Sequence, residues 1–258
     1  MGAKTALLAF ADGDLRPALA RAAAPEPAGA EALVRRVYQG YAVEAIGAGT
    51  LGERTFPPDD VTYVAILPGA ELLCDGRLVL DRPSELPERL LSLGAGRRVI
   101  MHGMHSVTDW LAFAVWEEGT LVRSLSLSPG SGILENIGEP YGFELPYWAG
   151  EHPVEPEPGW PDQGPYPLPF HPLELGEEAL RALFGFTLEG SPCADDLDPW
   201  NVPVHGFRIT DPTGQEQAAR EAAYAQARQA LGTPRFFRRG PDGTMHEVTL
   251  GSLGKKHD

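Results

Sequence analysis

Alternating and helically spaced apolar residues divide the chain into short strands and helices. Residues 4–10 (KTALLAF) are apolar on both faces, as an interior strand requires. Leu15, Ala18, Leu19 and Ala22 then follow helical spacing, and a second helix is predicted over residues 30–38, ending before Gly40. VEAIGAG and VTYVAIL read as strands. In LLCDGRLVL two apolar runs flank Asp75-Gly76, a pair suited to the positive φ angles of a type I′ turn, so a hairpin is predicted there. Ser84 is the expected N-cap of a helix carrying Leu86, Leu90, Leu91 and Leu93 and stopped by Gly94. RRVIMHG is the next strand, and DWLAFAVWEEGTLVRSLSLS is a second hairpin turning at Glu118-Gly119. A further helix is expected near residues 177–187, with Leu180, Leu183 and Phe184 on its apolar side.

Strands joined by tight turns and interleaved with helices predict an α+β fold, with a mixed, largely antiparallel sheet and helices packed on it. Residues 138–174 break the pattern. Ten of these 37 residues are proline and seven are aromatic. Proline at that density forbids helix interior and central strand, because each one removes a donor and fixes φ. Seven aromatics are too many for a solvated linker. An ordered irregular wrap laid over the sheet is the expectation. GQEQAAREAAYAQARQAL reads as a helix closed by Gly232 and Pro234, with a thin apolar face of Tyr224, Ala227 and Leu231. The terminal GSLGKKHD is expected to fray. The expected organisation is one α+β domain over residues 1–210, which includes the wrap, and a helical C-terminal extension over 211–258.

Composition changes the picture in three places. The 258 residues carry a net charge of −15, which disfavours nucleic acid as a partner because phosphate binding needs clustered Lys and Arg. A basic protein partner suits that charge. Cys74 and Cys193 form neither a framework nor a Cys-x-x-Cys motif and read as reduced thiols. The N-terminal MGAKTALLAFADGD reads as a strand rather than a signal peptide, and no stretch nears the ~20 apolar residues that span a bilayer. A cytoplasmic protein without membrane contact is therefore expected.

Chemistry-bearing residues concentrate in MHGMHSVTDW, residues 101–110. His102 and His105 are three apart, so on a strand they face opposite ways unless the chain turns at Gly103. Asp109 is the nearest third group and His152 the best distant one. The spacing matches no metal-ligand pattern, so no metal site and no cofactor are predicted. A strand ending at His102, a turn through His105-Ser106 and a new strand near Asp109 account for the stretch. In FADGDLRP the Asp-x-Asp lacks the Thr of a phosphoryl-transfer site, and Asp14 reads as a helix cap. SLSLSPGSG lacks the strand–turn–helix context of a nucleophile elbow and reads as a strand entering a Pro-Gly turn.

The second hairpin is more suggestive. With a two-residue loop, Trp116 pairs with Leu121 and Ala114 with Arg123, so Trp110, Ala112, Ala114 and Trp116 share one face and Arg123 lies in the slot between the tryptophans. There its guanidinium would hold a small anionic ligand bidentately, unless a helix fills the slot and Arg123 pairs internally, with Glu144 for instance. A shift of one residue moves Arg123 to the other face. In PYWAGEHP, Glu151-His152 is a weak acid/base pair, while Tyr147 and Trp148 read as anchors of the wrap.

MGAKTALLAFADGD, HSVTDWLAFAVWEEGTLVRSLSLSPGSGI, PYWAGEHP and YPLPFHPLELGEEALRALFG together resemble the actinobacterial family known as domain of unknown function 6928, over about residues 1–208. The resemblance implies an actinobacterial, cytoplasmic protein and brings no activity or site residue with it. Two functional readings follow from the residues. The first is a non-enzymatic ligand- or protein-binding, regulatory module that uses Trp110, Trp116, Arg123 and Trp148. The second is a hydrolase that uses His102 or His105 with Asp109 or His152 beneath the wrap.

Overall fold

Nine strands form one sheet in the computed structural model, which describes residues 2–22, 27–78, 80–156, 159, 164–230 and 235–248. The first half runs β1 (Lys4–Ala11), α1 (Arg16–Ala20), α2 (Pro27–Val37), β2 (Ala42–Thr50), α3 (Leu51–Arg54), β3 (Val61–Leu67) and β4 (Ala70–Cys74). It continues with α4 (Glu88–Leu93), β5 (Arg98–His105), β6 (Trp110–Glu117), β7 (Thr120–Ser128) and β8 (Gly132–Ile137). After α5 (Leu145–Trp148) and α6 (Pro172–Phe184) comes β9 (Pro203–Thr210). The sheet order is β2-β9-β3-β4-β1-β5-β6-β7-β8, and every neighbouring pair is antiparallel, in keeping with the expected α+β class.

The period of two puts alternate residues of the central strands on opposite faces. Leu8, Phe10, Val99, Met101, Ala112, Ala114 and Trp116 face α2 and α4, in one buried cluster with Leu33, Val34, Leu86 and Leu90. Each fully buried Leu or Phe there contributes roughly 1.5–3 kcal/mol of transfer free energy. The other face meets α6, whose Leu175, Ala179, Leu180, Leu183 and Phe184 are buried. Gly176 marks the closest approach: a Cβ there would sit 2.8 Å from Met104 Sδ and 3.2 Å from Leu111 Cδ1. His171 caps α6 by accepting the Leu173 N–H at 3.3 Å, Pro172 occupies the first turn, and Gly185 ends the helix at φ +87°.

Contacts divide the chain into two compact units, Met1–Pro153 with Pro167–Pro212, and Val154–Tyr166 with Thr213–Asp258. The proline-rich segment contributes to both. In the second unit lie α7 (Gln215–Ala230) and a hairpin of β10 (Phe236–Arg239) and β11 (Met245–Val248). The expected helix end at Gly232 and Pro234 and the final GSLGKKHD lie outside the described residues.

Several local expectations fail for identifiable reasons. Asp75-Gly76 makes no hairpin. The turn is at Pro68-Gly69, between β3 and β4, where Gly69 has φ +73°. Asp75 is buried instead, accepting the Tyr38 hydroxyl at 2.5 Å, the Arg77 backbone N–H at 2.9 Å and the Arg77 guanidinium at 2.7 Å. Ser84 does not cap α4. It donates its backbone N–H (3.0 Å) and hydroxyl (2.5 Å) to Glu135 on β8, and α4 starts at Glu88 after Pro87. β5 runs past His102 to His105, because pairing with β1 is maintained to Lys4↔His105. α6 starts at Pro172 rather than near 177, since proline is welcome at the first helical position.

Candidate functional site

The hairpin slot proposed for Trp110, Trp116 and Arg123 does not form. The turn at Glu118 (φ +50°) and Gly119 (φ +79°) is as expected, with Trp116 opposite Leu121. A β-bulge at Val122 then puts Arg123 opposite Val115 instead of Ala114. One extra residue reverses the face. Trp116 stays on the α2/α4 side, 2% exposed, and Leu78, Leu86 and Leu90 belong to the cluster that fills the space.

Arg123 is completely buried on the α6 side, and its charge is spent. Its Nε and Nη2 donate to the two Glu144 carboxylate oxygens at 2.9 and 2.5 Å, and Nη1 donates to Asn136 Oδ1 at 2.7 Å and the Ile137 carbonyl at 2.9 Å. Glu144 also accepts the Tyr141 N–H (2.8 Å) and the half-buried Trp148 indole N–H (3.4 Å). A desolvated bidentate pair with its remaining donors satisfied is a structural staple. It fastens the start of the proline-rich segment to the second hairpin and leaves no guanidinium for an anion.

The histidines also part. His102 lies between β1 and α6, its Nε2 3.0 Å from the Gly176 carbonyl and its Nδ1 2.8 Å from Thr5 Oγ1. A carbonyl only accepts, so Nε2 carries the proton and Nδ1 accepts the Thr5 hydroxyl. Burial lowers its pKa to about 4, and the ring is inaccessible to substrate. His105 faces the other side of the sheet. Asp109, at φ +46° in the β5–β6 turn, meets neither of them. Its carboxylate lies 3.8 Å from Nε2 of His171.

His152 does reach a cavity, of about 700 Å³, beside α6. Its ring stacks on Tyr147 with centroids 4.2 Å apart and planes at 14°, and Tyr147 in turn packs edge-on against buried Phe170. The helical repeat brings Glu174, Glu177, Glu178 and Arg181 to the same wall, and Glu189 and Cys193 close the far side. Glu177 accepts the N–H groups of Leu188 (2.8 Å) and Glu189 (3.1 Å), holding that loop in place. Arg181 is covered by Glu178 and by Asp196 at 3.1 Å. Glu174 and Glu189 are exposed and have no counter-charge among the described residues. Their sign is felt inside: burial, then the charges of Glu178 and Glu174, push the Tyr147 hydroxyl pKa up to about 12.

Tyr147 and His152 were visible in PYWAGEHP. His171, Glu174 and Glu178 were not, because a helix start placed five residues late hides which side of α6 they share, and Cys193 lies beyond α6 in a segment that only the fold brings to the cavity. Among the described residues no group of three His, Cys, Asp or Glu side chains is placed to hold a metal ion. No helix among them is long and apolar enough to cross a membrane. A protein-family model described as "Family of unknown function (DUF6928)" matches residues 5–207. No curated protein and no solved structure matches the chain.

Proposed function

The chain belongs to this family of unknown function, a membership that assigns no chemistry, and from the geometry we propose that it is a non-enzymatic binding module for a cationic group. The group is an amine or guanidinium, as carried by a lysine or arginine of a basic partner. The observation that carries the reading is the imbalance of the Tyr147–His152 cavity: four glutamates and one arginine line it, and that arginine is already paired. A cation entering there replaces water with carboxylates and rests against the face of a ring, an arrangement worth about 0.5–2 kcal/mol beyond the ionic attraction. The net charge of −15 favours approach of the same partners.

A hydrolase reading draws less support. Nδ1 of His171 is occupied by the Leu173 N–H and its Nε2 is directed at Asp109, so no imidazole nitrogen in that pair is left to act as base. Of the histidines the sequence offered, His102 is sealed in the core, and His105 and His152 line different cavities.

Calorimetric titration of the full chain with arginine amide and with a short Arg/Lys peptide tests the proposal. We expect binding that weakens with salt and falls about tenfold in Glu174→Gln/Glu189→Gln, two exposed positions whose neutralisation spares the fold. Binding unchanged in that variant, or none with either probe, would contradict it.

A further inference from the structure

A second cavity, of about 630 Å³, opens on the opposite face of the sheet, and the histidine-rich stretch supplies its wall: His105, Thr108 and Trp110 all line it. Its apolar part consists of Phe56, Leu80 and Trp110, with the Phe56 ring edge-on to His105 at 5.6 Å. Two aromatic rings and a leucine offer flat surface, and the Lys4 ammonium lies 5.8 Å from the centre of the Phe56 ring.

The polar rim is small and mostly free to bond outward. His105 Nδ1 accepts the Val107 N–H at 3.3 Å, which leaves the ring proton on Nε2. Ser128 Oγ accepts the Ser131 N–H at 3.2 Å, so its own hydroxyl proton remains to donate. The carboxylate of Asp81 is exposed and has no partner among the described residues. The indole N–H of Trp110 is buried and also unpartnered. Among the described residues that line the cavity the one full charge is the Asp81 carboxylate, with the Lys4 cation over the Phe56 ring. A phosphate or carboxylate ligand would meet the Asp81 carboxylate on the same wall. A neutral ring with hydroxyls meets every feature: its flat face lies on Trp110 or Phe56, a pair of adjacent hydroxyls donates to Asp81, and Ser128 and His105 donate to its oxygens.

We propose that this cavity binds an uncharged ring compound bearing vicinal hydroxyls, a nucleoside or a glycoside. The site is separate from the acidic cavity beside α6 and stands whether or not a cation binds there.

Titration calorimetry of the full chain with adenosine, cellobiose and AMP decides the matter. One-to-one binding of adenosine assigns the nucleoside class, and of cellobiose the glycoside class. In either case Phe56→Ala and Asp81→Ala, both at exposed side chains, are expected to weaken binding about tenfold each. AMP is expected to bind at least about tenfold more weakly than adenosine. The proposal fails if neither neutral probe binds at about 10 mM, far above any specific Kd. It fails equally if both variants bind as the parent does, or if AMP matches adenosine.

Discussion

At the scale of single residues, the chain buries several ionisable groups and treats them differently. His102 is kept neutral. In the unfolded chain it titrates near 6.5, and in the fold its pKa is lowered to about 4. Because the folded state resists the proton, stability is intact above pH 6.5 and is lost as pH falls through 6.5 towards 4. The shift corresponds to a loss of about 2 kcal/mol between pH 7 and pH 5. Urea unfolding of the parent should show it, and His102→Asn, weaker at pH 7, should lose markedly less over that interval. Equal losses would mean the imidazole is not the sensor. Arg123 and Glu144 are kept charged and paired. Glu144→Gln leaves a buried guanidinium uncompensated and should cost about 3–5 kcal/mol, whereas Arg123→Met/Glu144→Leu removes both charges and should recover most of that loss. Asp75 is neutralised by Arg77 and the Tyr38 hydroxyl.

At the scale of elements, the irregular positions decide where the site forms. Gly138 takes the chain out of β8 at φ +78°, and a Cβ there would lie 2.0 Å from the Val122 carbonyl oxygen at the bulge. Gly138→Ala should therefore destabilise by at least about 2 kcal/mol, since backbone cannot yield and the left-handed conformation is itself penalised. Gly142→Ala, with nothing within 4 Å and no positive φ, should be close to neutral by the same denaturation measurement. These positions also mark the boundary of what the sequence revealed. β1, β3, β6, β7 and the Glu118-Gly119 turn follow from alternation and turn chemistry, which are local signals. The bulge at Val122 is set by the long-range demand that Arg123 reach Glu144, and alternation alone cannot report it. β9 was missed because Pro203 and Gly206 weaken its strand signal, and its place between β2 and β3 depends on partners some 140 and more residues away in sequence. Asp75-Gly76 misled because a turn-forming pair was recruited to bury an acid.

At the scale of the molecule, one antiparallel sheet separates two cavities of opposite character. The α6 side holds four glutamates beside a ring stack, and the α2/α4 side holds two aromatic rings rimmed by hydroxyls, an imidazole and the Asp81 carboxylate. The two edge strands, β2 and β8, both take part in bulged pairings, a feature that breaks the regular row of exposed backbone groups through which sheets aggregate. Charge was legible from composition, and it set the expectation against nucleic acid as a partner. The location of the acidic cavity was not, because Tyr147, Glu174 and Glu189 become neighbours only when α6 is folded onto the sheet. The most direct test of the account is a two-dimensional NMR titration of the 27.8 kDa chain with arginine amide. It predicts shifts concentrated on Tyr147, His152, Glu174, Glu178 and Glu189, fading as salt is raised. Shifts centred elsewhere, or none around the Tyr147–His152 stack, would contradict it.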